Sequence, residues 1–332
     1  MENKNLFSSA NVKAFAEEVA TKVAEKLGKE VEVIEVPKAN GVKLIGLNAK
    51  LSESITPTLY IEYFYESFIA EENTKEEVIN EIYEAIKEHE NKMPAIKIPE
   101  ITSWDSAKES IIMKCVSIKL NKEKLEDVPH LVYGDLAVVF RYKVTLDETN
   151  GEGTILISNA LMEMWKITTK DLYEAAQKPE PVVKKMSDVI REMTGQDIVP
   201  KDCNQMYAVT YESKFLGATA ILNNELLKKF SDMIGGDYYI IPSSIHELIF
   251  VKAEKTTIDE YKELAEIVET VNTTSLKVED ILNDHPYLYD SSVHKLYNGY
   301  YKEEMKLDIP GYNMEESDST DTLTKLVSSV VA

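Results

Sequence analysis

The sequence predicts an α+β protein, with mainly antiparallel sheets built from repeated strand–strand–helix units and helices packed on the sheets. Three observations predict it. Val12, Phe15, Val19, Val23 and Leu27 form one stripe at helical spacing. VEVIEVP and VKLIGLNAKL flank Asn40-Gly41, a dipeptide suited to tight turns that need φ > 0, so they read as a hairpin. Two later segments share one outline: LAVVFRYKVTL, a turn, TILIS and NALMEMW, against MYAVTYES, KFLG, ATAIL and NNELLKKF. Overlaid, they pair Asn159 with Asn224, Leu161 with Leu226, Met162 with Leu227 and Trp165 with Phe230. TLYIEYFYESF follows the same outline more loosely. The physical unit is a hairpin whose second strand runs into a helix capped by Asn.

In chain order, the first helix covers 10–27, with Ser8 or Ser9 able to cap it and Gly28 placed to end it. After the hairpin, Thr58–Ile61 reads as a strand leading into a helix over Glu62–Phe68. Thr74 and Glu77 form a capping box ahead of a helix to about Asn91, with Val78, Ile82 and Ile86 inward. MPAIKIPEIT carries two prolines and no period, which marks a linker. A helix is expected over Asp105–Ile118, with Ile111, Cys115 and Ile118 inward. Two apolar runs around Pro242-Ser243-Ser244 read as strands joined by a short turn or sharp bend. Ile258–Val271 reads as a helix with Tyr261, Leu264, Ile267, Val268 and Val271 inward, and residues 285–301 as a tyrosine-rich hairpin. The expected lobes are 1–93, 104–200 and 205–312, followed by an acidic tail at 313–332. That tail ends in a short amphipathic helix bearing Leu323, Leu326, Val327 and Val330.

Charge narrows the function. Lys plus Arg is 37 and Asp plus Glu is 58, a net charge of −21. Such a chain is repelled by phosphate backbones and anionic membranes unless it hides a basic patch, and the sequence reads as lacking one. Arg141 and Arg191 are its two arginines, so the preferred fork for phosphate and guanine is scarce. Cys115 and Cys203 are too few for a disulfide-stapled scaffold, and no signal peptide or membrane-length apolar run is present. The expected location is a reducing cytoplasm, with no membrane and no nucleic acid bound through its phosphates.

The candidate chemistry is thin. The histidines are His89, His130, His246, His285 and His294. Zinc ligands usually come as H-E-x-x-H or C-x-x-C, and His246-Glu247 lacks the second histidine, so neither metal nor cofactor is expected. Ser243 and Ser244 beside His246 invite a nucleophile–base reading, which also needs an orienting carboxylate and an oxyanion pocket. The catalytic candidates are therefore His246, Glu247, Ser244 and His130. Against them stands the plainer role of serines satisfying backbone groups at a bend. Gly151, Gly153, Gly235 and Gly236 lack the strand-to-helix setting of a phosphate cradle. Cys115 lies on an apolar face and neither cysteine has a clear basic neighbour, so neither reads as a reactive thiolate. The tyrosines, clustered at 60–65, 238–239 and 287–301, suit half-buried sheet faces first and protein interfaces second.

DYYIIPSSIHELIFV, ILISNALMEMWKITTKDLYEAA and VPHLVYGDLAVVF together resemble a family of uncharacterised bacterial proteins, a domain of unknown function. The resemblance spans about residues 31–300, and P-S-S-I-H-E is its most specific piece. It implies a cytoplasmic protein of anaerobic low-GC Gram-positive bacteria and carries no activity with it. The function expected from the residues is a non-enzymatic binding or interaction protein with an acidic surface, its partner another protein. The alternatives are a metal-dependent or Ser/His hydrolase centred on Pro242–Glu247, and a nucleic-acid mimic that occupies a basic partner.

Overall fold

A computed structural model describes residues 9–49, 58–92, 101–146, 151–195 and 205–310. Helix α1 (Ser9–Leu27) buries the stripe of Val12, Phe15, Val19 and Val23, and Gly28 ends it at φ +64. Strands β1 (Val31–Pro37) and β2 (Lys43–Ala49) pair from Val31↔Ala49 to Pro37↔Lys43 around Asn40 and Gly41, whose φ values are 58 and 72. Strand β3 (Thr58–Tyr60) adds to β2, and α2 (Glu62–Ile69) and α3 (Lys75–Lys92) follow. The capping box forms as read: Thr74 N–H and Oγ1 donate to Glu77 Oε2 at 2.8 and 2.7 Å. The three helices pack on this sheet around Phe15, Val19, Ile45, Leu47, Val78 and Ile82.

The next stretch runs α4 (Trp104–Ala107), β4 (Ile111–Ser117), α5 (Lys122–Glu126), β5 (His130–Tyr133), β6 (Leu136–Leu146) and β7 (Gly151–Leu156). Then come α6 (Asn159–Trp165), α7 (Thr169–Ala175), β8 (Val182–Lys185) and α8 (Met186–Thr194). The last stretch holds β9 (Met206–Thr210), α9 (Asn224–Ile234), β10 (Tyr238–Ser244), β11 (Glu247–Lys252) and α10 (Ile258–Thr274). Strands β12 (Tyr287–Asp290), β13 (Lys295–Asn298), β14 (Glu303–Glu304) and β15 (Leu307–Asp308) close it. One sheet has the order β15-β5-β6-β4 with β7 also on β6, and the other the order β14-β13-β12-β10-β11-β9-β8. All these strand pairs are antiparallel, which makes the α+β class plain. Strand β8 reaches into the sheet of the later residues and β15 into that of the earlier ones. One core, from Ala107 to Met305, draws on both. Among the described residues no helix is long and apolar enough to cross a membrane.

Two elements differ from expectation. The helix expected over 105–118 is a single turn, α4, followed by strand β4. Ile111, Met113 and Cys115 are buried in period two while Ile112 and Lys114 between them are only half-buried. The expected strand ATAIL is a 3-10 turn over Gly217–Leu222. Strand β9 is already paired with β11 and β8, so this segment has no sheet edge left. Its N–H groups bond locally, Thr219 to Leu216 O and Asn223 to Ala220 O, and Ala218 reaches Ile245 O in the β10–β11 turn. The strand–strand–helix order therefore recurs as β2-β3-α2, β6-β7-α6 and β10-β11-α10, but not at 206–230. The caps of α6 and α9 are Ser158 and Asn223, one residue before the Asn159 and Asn224 that the overlay paired. Ile267, expected inward on α10, is 47% exposed. Residues 93–100 of the expected linker and the tail from 311 onward lie outside the described residues.

Candidate functional site

The Pro242–Glu247 segment sits where β10 meets β11, and the register shifts between Ile241 and Ser244. Proline has no N–H to give the ladder, so an irregularity here is what the sequence demands. Ser244 Oγ accepts from the backbone N–H of His246 at 3.0 Å, so its hydroxyl serves the bend. His246 Nδ1 accepts from Leu216 N–H at 3.1 Å, which leaves the proton of the neutral ring on Nε2, 3.7 Å from Asp280 Oδ1. Burial lowers the His246 pKa, with Lys114 adding to the effect and Asp280 opposing it. Burial raises that of Glu247, opposed by a hydrogen bond with Ser243 and by Lys214. His130 opens β5, and its Nδ1 lies 3.0 Å from Val128 O. No group of three His, Cys, Asp or Glu side chains that could hold a metal ion gathers among the described residues. Cys115 is fully buried and its thiol is pushed up to about 12.

A different set of residues converges on the other face of β4. Lys114 opposes Val139 and Ile112 opposes Arg141 across the β4–β6 ladder. Alternation therefore puts Lys114, Val116, Val139 and Arg141 on one face, opposite the core face of Met113, Cys115, Val138 and Phe140. Helix α5 brings Lys124 and Leu125 over that face. Asn121, Val128, Leu156 and Ala39 complete a small hollow, part of it continuous with solvent. The Ala39 side is the β1–β2 turn, held in place by Asn40. Its backbone N–H donates to Asn121 Oδ1 at 2.8 Å, and its Nδ2 donates to Val278 O and Ile281 O at 2.6 and 2.7 Å.

Three cations thus line one hollow. Burial pushes Lys114 down to about 8, helped by repulsion from Arg141 and Lys124 and opposed by Asp280 and Glu279. Lys124 is lowered by burial and then by Arg141 and Lys38. Burial lowers Arg141 too, whose Nε and Nη2 donate to Thr154 Oγ1 and Thr154 O at 2.6 and 3.0 Å. None of the three forms an ion pair with any described residue, although 58 carboxylate side chains are present in the chain. Like charges gathered in a partly apolar hollow destabilise one another, and an entering anion would relieve both the repulsion and the lost hydration. The sequence reads as lacking a basic patch; the fold assembles one. Its signal was present in the alternation of IIMKCVS and FRYKV, but the helix expected over 105–118 hid it.

The chain belongs to a family of unknown function (DUF5688), whose family model matches residues 12–291. The match takes in α1, which the resemblance over about 31–300 leaves out. No curated protein and no solved structure matches the chain.

Proposed function

We propose that this family member is a binding protein, and that its ligand is a small organic anion received between Lys114, Lys124 and Arg141. One observation carries the reading: three half-buried cations face a common hollow without a carboxylate partner among the described residues. Val116, Leu125, Val139 and Leu156 offer the ligand's body apolar contact, while Asn121 adds a polar edge. Arg141 is pre-set by its two bonds to Thr154, so less freedom is lost when it binds. The host in this proposal is an anaerobic low-GC Gram-positive bacterium, the setting its cytoplasm, and P-S-S-I-H-E a family signature. In this reading that segment is a structural bend.

The test is calorimetric titration of the full chain with L-lactate and with sulfate. Saturable binding at one site, weakened about tenfold or more in Arg141→Met, supports the proposal, since a hydrogen bond to a charged group contributes about 1.5–3 kcal/mol. Absence of saturable binding, or equal binding by the variant, rejects it.

A second reading keeps a protein partner of basic character. The outer face of α10 favours it, where Asp259, Glu263, Glu266 and Glu269 are exposed beside Ile267. Charge there would speed encounter more than it would tighten the complex.

A further inference from the structure

We infer that Lys114 is a nucleophilic amine that captures the carbonyl group of a small 2-oxo acid or anionic aldehyde as an imine, while Arg141 and Lys124 hold the ligand's anionic group. The inference rests on the anion-binding reading above and adds chemistry to it.

The geometry comes first. Lys114 stands on the rigid centre of β4, paired along its length with β6 from Ile111↔Tyr142 to Ser117↔Leu136. It opens into the same hollow as two further cations, one from β6 and one from α5. An anionic ligand drawn to Arg141 and Lys124 would bring its adjacent carbonyl carbon toward the third basic group, Lys114. The apolar side chains around it, Val116, Val139 and Leu156, limit hydration of the amine. This is the environment in which an amine becomes a nucleophile: desolvated, and beside other cations.

The charged groups facing Lys114 agree. Arg141 from β6 and Lys124 from α5 disfavour its protonation together with burial, while Asp280 and Glu279 from the turn at 278–280 favour it. Burial and repulsion prevail, at about 8. At pH 8 about half of such a side chain is the free amine, against about 0.4% for a lysine of ordinary pKa near 10.4. His246 lies near enough for the charge of Lys114 to add to burial in lowering the pKa of its ring, against Asp280.

The step balances without an outside reagent. The Nζ lone pair adds to the carbonyl carbon, and the carbonyl π electrons pass to oxygen, which takes up a proton. The resulting carbinolamine loses that oxygen as water, leaving a C=N bond to Nζ. Nothing is oxidised or reduced. The positive charge of the protonated imine replaces that of the ammonium, so the hollow keeps its balance toward the bound anion.

The experiment treats the full chain with pyruvate or glyoxylate in the presence of sodium borohydride, then locates reduced adducts by peptide mass spectrometry. The expected result is an adduct at Lys114 that forms at least about tenfold faster than at exposed Lys119 and Lys122. It is suppressed by excess L-lactate, and its rate levels off above about pH 8, where exposed lysines are still accelerating. Lys114→Arg, checked for folding by circular dichroism, abolishes this adduct, and Lys122→Arg leaves it. If lactate binds but Lys114 is labelled no faster than the exposed lysines, the imine is rejected and the anion site stands. If neither lactate nor the oxo acids bind, both fall. An adduct at Lys114 that lactate does not suppress rejects the role given to Arg141 and Lys124.

Discussion

Two polar clusters of this molecule use similar groups to opposite ends. Around His285 the groups close on one another. Its Nδ1 meets Asp284 Oδ1 at 2.9 Å, and its Nε2 meets Asp135 Oδ2 at 3.1 Å and Asn298 Oδ1 at 2.6 Å. Asn283 Nδ2 donates to Asp135 Oδ2 and to Tyr287 OH at 2.7 and 2.6 Å, and Tyr287 OH donates to Asp135 Oδ1 at 3.2 Å. Lys119 completes the set on Asp284 at 2.7 Å. This network joins the β5–β6 turn to β12 and β13, and so fastens one sheet to the other. Around Lys114 the cations form no ion pair with a described residue, and Asp280 and Glu279 act on Lys114 without outweighing burial and repulsion. The closed network ties its charges into the architecture; in the proposed function the open one keeps them for a ligand.

The largest effects break that contrast or keep it. Asp135→Ala leaves His285, Asn283 and Tyr287 short of an acceptor and should lower unfolding stability by about 3 kcal/mol in urea titration, the lower end for a broken buried pair. Lys114→Met removes a buried charge that repels its neighbours and should leave stability unchanged or raise it by up to about 1 kcal/mol. If Lys114→Met destabilises the chain as much as Asp135→Ala does, the cations are architectural and the comparison collapses.

A smaller effect tests how the hollow is walled. Asn40 sits at φ 58 and its side chain holds two carbonyls near the turn at 278–280. Asn40→Gly keeps the backbone conformation available while deleting those bonds, so stability should fall by about 1–2 kcal/mol. Anion affinity should fall with it, because Ala39 no longer closes that side. A variant as stable as the parent, with unaltered lactate affinity, would separate the turn from the site.

The legible parts of the fold were those with local signals. The α1 stripe, the Asn40-Gly41 turn and the Thr74–Glu77 box each depend on neighbours in sequence and stand where the sequence places them, while the turn expected at 242–244 falls at 245–246, with a register shift between Ile241 and Ser244 before it. ATAIL has strand-like composition, but its state depends on whether β9 has a free edge, a fact of tertiary pairing. Ile111, Cys115 and Ile118 fit a helical stripe, yet Ile111, Met113 and Cys115 fit a strand equally well, and the pairing with β6 decides between them. The hollow followed that error. Lys114 and Arg141 are 27 residues apart, and only the β4–β6 register makes them neighbours. The His246 segment stands out because serine, histidine and glutamate are close in sequence; in space Ser244 Oγ accepts from His246 N–H, while the His246 ring accepts from Leu216 N–H and faces Asp280.

The smallest effect separates the closed network from the bend by pH. Burial works against the charge of His285 and of Asp135, and is outweighed by the bonds between them. The His285 pKa is therefore raised, so the proton it carries favours the folded state. That contribution is complete below the unfolded value near 6.5 and fades as pH rises through the folded one. Asp135 is lowered, so its share is present above about 3.9 and is lost as pH falls through its folded value. The stability gap between parent and His285→Gln should then be wider at pH 6 than at pH 9, by an amount under about 1 kcal/mol. His246 runs the other way: its pKa is lowered, so the unfolded chain takes up the proton first and the parent loses stability relative to His246→Gln as pH falls below 6.5. Opposite slopes for the two histidines, read from urea midpoints across that range, would mark one as bound into a charged network and the other as a neutral ring at a bend. Slopes of the same sign would mean that the His246 ring carries its charge against Asp280, and the segment would then share the character of the closed network.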